Sequence, residues 1–166
     1  METDGSALAM RSKKIEAFLR KPIIAVLSWT TRSGEPMMTP VWYQYQDGKF
    51  LIYTTLATAK ARALQRTGRA CLCIQYSSPP HRYVTVRGDA RIIRDQELAG
   101  RLMERLARRY LGRLGSRRFL QLAEKNQQER VIIEVTPTEM RSLDTVAVVN
   151  PIVVAAWSLL RRIPGL

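Results

Sequence analysis

The sequence predicts a mainly β protein with helices, of the α+β class. About six antiparallel strands form a small barrel, with helices packed outside it. Three observations carry this. β-branched and aromatic runs follow one another at hairpin spacing, as in Ile23–Thr31, Pro36–Gln46 and Lys49–Thr55. Turn signals separate them, first Arg32-Ser33-Gly34-Glu35 and then Asp47-Gly48. Between later strands the pattern changes to a helical period, after Thr58 and again after Asp95.

Residues 1–11 carry acids and no apolar run, so they read as a disordered N-terminus rather than a signal peptide. Lys13–Arg20 sets Ile15, Phe18 and Leu19 on one face of a short helix that Pro22 stops. The three strands named above follow. Thr58 caps a helix that ends near Thr67-Gly68. Arg69–Tyr76 is a fourth strand and His81–Arg94 a long fifth, where Gly88 marks a bulge or bend. Asp95 caps a helix whose buried stripe is Leu98, Leu102, Leu106 and Tyr110, opposite Arg101, Arg105, Arg108 and Arg109. Gly112 and Gly115 break the chain, and Ser116 starts another helix carrying Phe119, Leu120 and Ala123. Glu129–Leu143 is the last strand, with Pro137 limiting its pairing. Residues 12–144 thus form one barrel domain, and 145–166 an apolar C-terminal tail or helix.

The chain has 166 residues, enough for one domain with a real core. Its formal net charge is +13. That charge attracts anions but does not choose among nucleic acid, an acidic membrane surface and a phosphorylated or polycarboxylate cofactor. Cys71 and Cys73 are the only cysteines and His81 the only histidine, so no metal site is expected. The cysteines read as reduced thiols of a cytoplasmic protein, serving as small packing residues on a strand. Val146–Leu160 is apolar, but it is short for a bilayer span and is interrupted by Asn150-Pro151.

The stretch Phe50–Leu64 carries the chemistry. It changes from strand to helix at Thr58-Ala59-Lys60. A helix N-terminus has free N–H groups and partial positive charge. With the Thr58 hydroxyl and the Lys60 ammonium beside them, it makes an anion cradle suited to a phosphate. An ordinary strand–turn–helix with a solvated lysine remains the alternative on this stretch alone.

The flanking motifs are Gly34-x-Pro36, Thr39-Pro40-Val41-Trp42-Tyr43, Asp47-Gly48, Tyr53-Thr54-Thr55, Thr58-Ala59-Lys60-x-Arg62-x-Leu64 and Tyr83-x-x-Val86-Arg87-Gly88-x-Ala90. In this order they resemble the pyridoxamine 5′-phosphate oxidase-like superfamily, most of all its flavin- and deazaflavin-dependent oxidoreductases. The resemblance covers Pro22–Ile93 well and the final strand more loosely. It implies a six-stranded split β-barrel of the FMN-binding type, a homodimer, and two cofactor sites in the dimer cleft. Thr39, Pro40, Val41 and Trp42 would lie along the ring system. Thr54, Thr55, Thr58, Ala59 and Lys60 would hold the phosphate and ribityl chain, and Tyr83 would shape the pocket with Trp42.

Departures from the family pattern bear on the cofactor. Ala59 stands where FMN oxidases tend to carry arginine, Trp42 where they tend to carry a basic residue, and Tyr83 where they carry glutamine. Pro40-Val41-Trp42-Tyr43 is similar to the branch that binds the deazaflavin coenzyme F-420, although Ala63 replaces its usual asparagine. The resemblance therefore implies an oxidoreductase using F-420, with FMN as the alternative, that passes a hydride to a small conjugated substrate. The cofactor carries that reaction, so no nucleophile is expected and no catalytic residue is assigned. A non-catalytic module binding a flavin-like ligand, haem or nucleic acid is the competing reading. No helix-turn-helix, RNP or zinc pattern supports nucleic acid. Three further points stay open. Trp42 is either a core or interface aromatic or a cofactor wall. Arg87 either lines the cleft or forms a surface ion pair. The tail covers the barrel, touches a membrane surface through Arg161-Arg162, or is free.

Overall fold

The structure, a computed structural model, describes residues 13–77, 82–124 and 128–144. The expectations for residues 1–11, His81 and 145–166 lie outside that range. Seven strands form one antiparallel sheet: β1 (Ala25–Thr30), β2 (Pro36–Val41), β3 (Gln44–Gln46), β4 (Lys49–Thr55), β5 (Arg69–Gln75), β6 (Arg82–Ile93) and β7 (Arg130–Asp144). Their order across the sheet is β2-β1-β5-β6-β7-β4-β3. The described helices are α1 (residues 13–19), α2 (Ala59–Thr67) and α3 (Gln96–Glu124). The fold is α+β and of the split-barrel type, with a sheet that is not closed.

Strand alternation sorts the side chains. In β4, Phe50, Ile52 and Thr54 are buried while Leu51, Tyr53 and Thr55 are only partly so. The inward residues join Leu27, Leu72, Ile74, Val86 and Ile133 in the main core, which Phe18 and Leu19 of α1 cover. A second cluster forms where α3 packs on the sheet, with Ala99, Leu102 and Leu106 against Ile132 and Trp42.

The structure corrects the strand count. Pro36–Gln46 is not one strand but two, and β2 and β3 stand at opposite ends of the sheet. The chain crosses between them at Trp42-Tyr43. Tyr110 takes both backbone groups of Tyr43. Its hydroxyl oxygen accepts from the Tyr43 N–H at 3.3 Å and lies 3.3 Å from the Tyr43 carbonyl, while it donates to the Ile23 carbonyl at 2.9 Å. The Tyr43 ring is fully buried, and its hydroxyl donates to the Leu19 carbonyl at 3.0 Å. A residue so engaged by a distant side chain cannot also continue a ladder.

The helices are corrected too. The break in α3 is at Gly112 alone, where φ 68 and ψ −173 lie in a region open essentially to glycine. The helix resumes directly afterwards. Gly115 and Ser116 sit inside it, and the buried Ser116 hydroxyl donates to the Arg113 carbonyl at 3.0 Å. The bulge expected at Gly88 is present, as a register shift between Arg87 and Gly88 opposite Pro137. A Cβ at Gly88 would stand 2.5 Å from the Thr136 carbonyl oxygen, so only glycine fits. Cys71 and Cys73 are free thiols, but they face outward, Cys71 exposed and Cys73 half-buried, rather than packing in the core. No helix of the described residues is long and apolar enough to cross a membrane.

Candidate functional site

The turn from β4 to α2 is built by threonines. Thr54 is buried, its Oγ1 3.2 Å from that of Thr58. The Thr58 hydroxyl donates to the Thr55 carbonyl at 2.9 Å and accepts from the Ala61 N–H at 3.4 Å, capping α2. That hydroxyl is therefore committed within the chain and is not a free arm of the cradle. Thr55 donates its hydroxyl to Gln128 at 2.9 Å. The N–H groups of Ala59 and Lys60 have no acceptor among the described residues, and the first turn of α2 carries no acid. These two donors and the Lys60 ammonium constitute the cradle.

Lys60 is half-buried and has no carboxylate partner among the described residues. Burial holds its ammonium below the ordinary lysine value. It borders a cavity of about 470 Å³, within the range of small-molecule sites. Pro40, Val41 and Trp42 form one wall, with Ile24 beside them. Tyr53 of β4 and Met103, Leu106 and Phe119 of α3 form the other. Trp42 stacks on Tyr110 with ring centroids 5.3 Å apart and planes 5° apart, and it meets Phe119 at 5.4 Å. Trp42 is thus both a packing aromatic and a cavity wall. Burial pushes the Tyr53 phenol above its ordinary value, against the pull of Arg130, so it stays a neutral donor at pH 7.

The structure brings Pro40, Val41, Trp42 and Lys60 to one cavity, with Thr58 and Ala59 in the adjoining turn. Thr39 of β2 pairs with Leu27 of β1 and does not line the cavity. Thr54 and Thr55 support the turn rather than face the cavity. Tyr83 lies elsewhere, in a separate cavity of about 650 Å³ with Phe18, Lys21 and Leu143. Arg87 pairs with Glu139 at 3.5 Å, as an ion pair on the sheet surface. Sequence reasoning missed Ile24, Met103, Leu106 and Phe119 as lining residues. Leu106 and Phe119 stood out only as apolar helix positions, because their packing with Trp42 is a tertiary one. No group of three or more metal-ligating His, Cys, Asp or Glu side chains exists among the described residues.

Residues 12–144 match the family model described as pyridoxamine 5′-phosphate oxidase. No curated protein matches the sequence. Among solved structures, a conserved hypothetical protein of Mycobacterium tuberculosis aligns with a TM-score of 0.67 and 23% identity, over 80% of this chain and 83% of its own. An F420 reductase aligns at 0.62 and 23% identity, over 76% of this chain and 94% of its own. The haem storage protein of Vibrio cholerae aligns at 0.60 and 13% identity, over 80% of this chain and 92% of its own. At such identities the structures report the fold, whereas the family model spans most of the sequence: the chain belongs to the pyridoxamine 5′-phosphate oxidase family.

Proposed function

We propose that the protein is a flavin-type oxidoreductase, working as a homodimer, with the deazaflavin F-420 as cofactor and FMN as the alternative. One observation carries this reading. The half-buried Lys60, which has no carboxylate partner among the described residues, borders the same cavity that Pro40, Val41 and Trp42 line, at the start of α2 where two backbone N–H groups lack acceptors among the described residues. A ligand with an anionic chain and a flat ring system suits that combination. The bound cofactor would supply the hydride chemistry. The chain's own residues bind and shield. Lys60 and the first turn of α2 hold the anion. The Pro40–Trp42 backbone and the Trp42 indole set the plane of the ring. Met103, Leu106 and Phe119 keep water from that face, and Tyr53 offers a neutral hydroxyl. The outward thiols Cys71 and Cys73 suit a reducing compartment, which supports placing the protein in the cytoplasm.

Equilibrium titration with F-420 and FMN side by side tests the reading. One of them is expected to bind saturably. Lys60→Ala should weaken it at least about tenfold, the loss of one charge-assisted contact of ~1.5–3 kcal/mol. Equal affinity in wild type and variant would count against the site.

A non-catalytic carrier is the second reading, favoured by the mostly apolar lining of the cavity among the described residues. Oxidation or reduction of the bound cofactor by candidate substrates separates an enzyme from a carrier. A salt series with random DNA tests whether the positive charge serves nucleic acid instead.

A further inference from the structure

A second basic pocket lies on the other side of α2. It is a solvent-open depression of about 410 Å³, and Trp29, Thr31, Arg32, Ala59, Arg62 and Arg66 border it. Arg62 and Arg66 are one turn apart on α2, on one face with Ala59. Arg32 comes from the β1–β2 turn, which Arg66 ties to the helix by donating to the Thr30 and Thr31 carbonyls at 2.8 and 3.0 Å. This fixes one guanidinium at the mouth of the pocket.

The other two are uncompensated. Neither Arg32 nor Arg62 has a carboxylate partner among the described residues. The acid nearest to Arg32 in the turn, Glu35, accepts instead from the Ser33 hydroxyl at 2.9 Å. Three like charges around one pocket repel one another until an anion enters. The planar fork of arginine matches oxyanions two bonds at a time. The half-buried Trp29 supplies an apolar wall, so the pocket is more than an arginine patch in open solvent. Trp29 lies five residues along the chain from Ile24 of the first cavity, roughly 17 Å in extended backbone, so the two sites are distinct.

We infer that the Trp29–Arg32–Arg62–Arg66 pocket is a second anion site, for a small molecule with two or more clustered oxyanionic groups, a polyphosphate or a polycarboxylate. It does not depend on the flavin reading.

Calorimetric titration of the full chain with inorganic pyrophosphate, citrate and acetate, at about 0.15 M salt to screen the general charge, tests it. Pyrophosphate or citrate should bind saturably and acetate should not. The tighter of the two identifies the ligand as polyphosphate or polycarboxylate. Arg32→Ala and Arg62→Ala should each weaken binding at least about tenfold without lowering the melting temperature, since neither side chain has a partner among the described residues. Lys60→Ala should leave binding unchanged. Absence of saturable binding, or equal affinity in both arginine variants, overturns the inference. Loss in Lys60→Ala alone also overturns it, because the anion then belongs to the first cavity and the proposed function stands.

Discussion

Lys60 has a cost that its fold does not compensate. Its ammonium is half removed from water, no carboxylate faces it among the described residues, and its folded-state pKa is lowered by that desolvation. The unfolded chain therefore holds a proton more tightly than the folded one. The contribution of Lys60 to stability therefore rises with pH as the folded lysine loses its proton, up to the ordinary value near 10.5, while the buried phenols of Tyr43, Tyr53 and Tyr110, whose values are raised, contribute a fall at the alkaline end. Lys60→Met keeps the stem and deletes the charge. It should raise the melting temperature of the cofactor-free protein at pH 7 by about 1–3 °C while weakening anion binding, and this advantage over wild type should shrink toward pH 10.5. Thermal melts from pH 7 to 10.5 check both. A melting temperature lowered by Lys60→Met would show that the ammonium has a structural role. At this scale the sequence was informative where the chemistry is local. Thr58 and Lys60 were legible as cap and cation because a helix start is written within four residues. Tyr110 was legible only as the end of an apolar stripe. Its hydroxyl holds Tyr43, 67 positions away, and no local pattern reports that.

Two devices at the level of elements tie the sheet together and shape the end of α3. Glu134 on β7 joins three strands, accepting from Arg91 Nε of β6 at 2.6 Å and Lys49 Nζ of β4 at 3.1 Å. Burial pushes its carboxyl up, but the bonds and charges of Arg91 and Lys49 together outweigh this and hold it below the ordinary value. That stabilisation is fully present above about pH 4.5 and is lost as pH falls through the folded pKa. Both partners are partly exposed, so Glu134→Gln should cost only about 1 kcal/mol at pH 7 in urea unfolding. The difference from wild type should shrink toward about pH 3. The second device is Gly112, which turns the end of α3 so that Phe119 reaches Trp42. Gly112→Ala should lose about 1–3 kcal/mol, and the change in Trp42 packing should register in near-ultraviolet circular dichroism. Strand alternation and turn residues made β4, the Asp47-Gly48 hairpin and the Gly88 bulge legible. The split of Pro36–Gln46 was not, because its apolar pattern runs unbroken through the corner. The restart of α3 was misplaced at Ser116 because serine is a frequent cap, yet here it is buried inside the helix.

At the scale of the molecule, the separation of Tyr83 from Lys60 bears on assembly. One outward face of the sheet runs through Met38, Ser28, Cys71 and Arg87 in register across β2, β1, β5 and β6. Tyr83 and Thr85 share that face by alternation along β6. Ser28, Cys71 and Thr85 on it are small and uncharged, Arg87 and Arg141 beside them pair with Glu139, and Met38 at 70% exposure and Leu143 at 42% leave apolar surface at its margins. A two-fold dimer through this face would let one chain's Tyr83 serve the other chain's Lys60 cavity. Sedimentation should then give twice the 19.0 kDa chain mass, and Ser28→Arg, at the centre of the face, should give monomers. Subunit mixing tests the shared site directly. Lys60→Ala and Tyr83→Ala homodimers should each bind the cofactor weakly, because each has two damaged sites. A mixed dimer has one site with both changes and one with neither. Unfolding and refolding an equimolar mixture should restore wild-type affinity at about a quarter of the sites, since half of randomly paired dimers are mixed. Normal affinity in the Tyr83→Ala homodimer would place Tyr83 outside the cofactor site, and two weak homodimers without restoration would place it in its own chain's site.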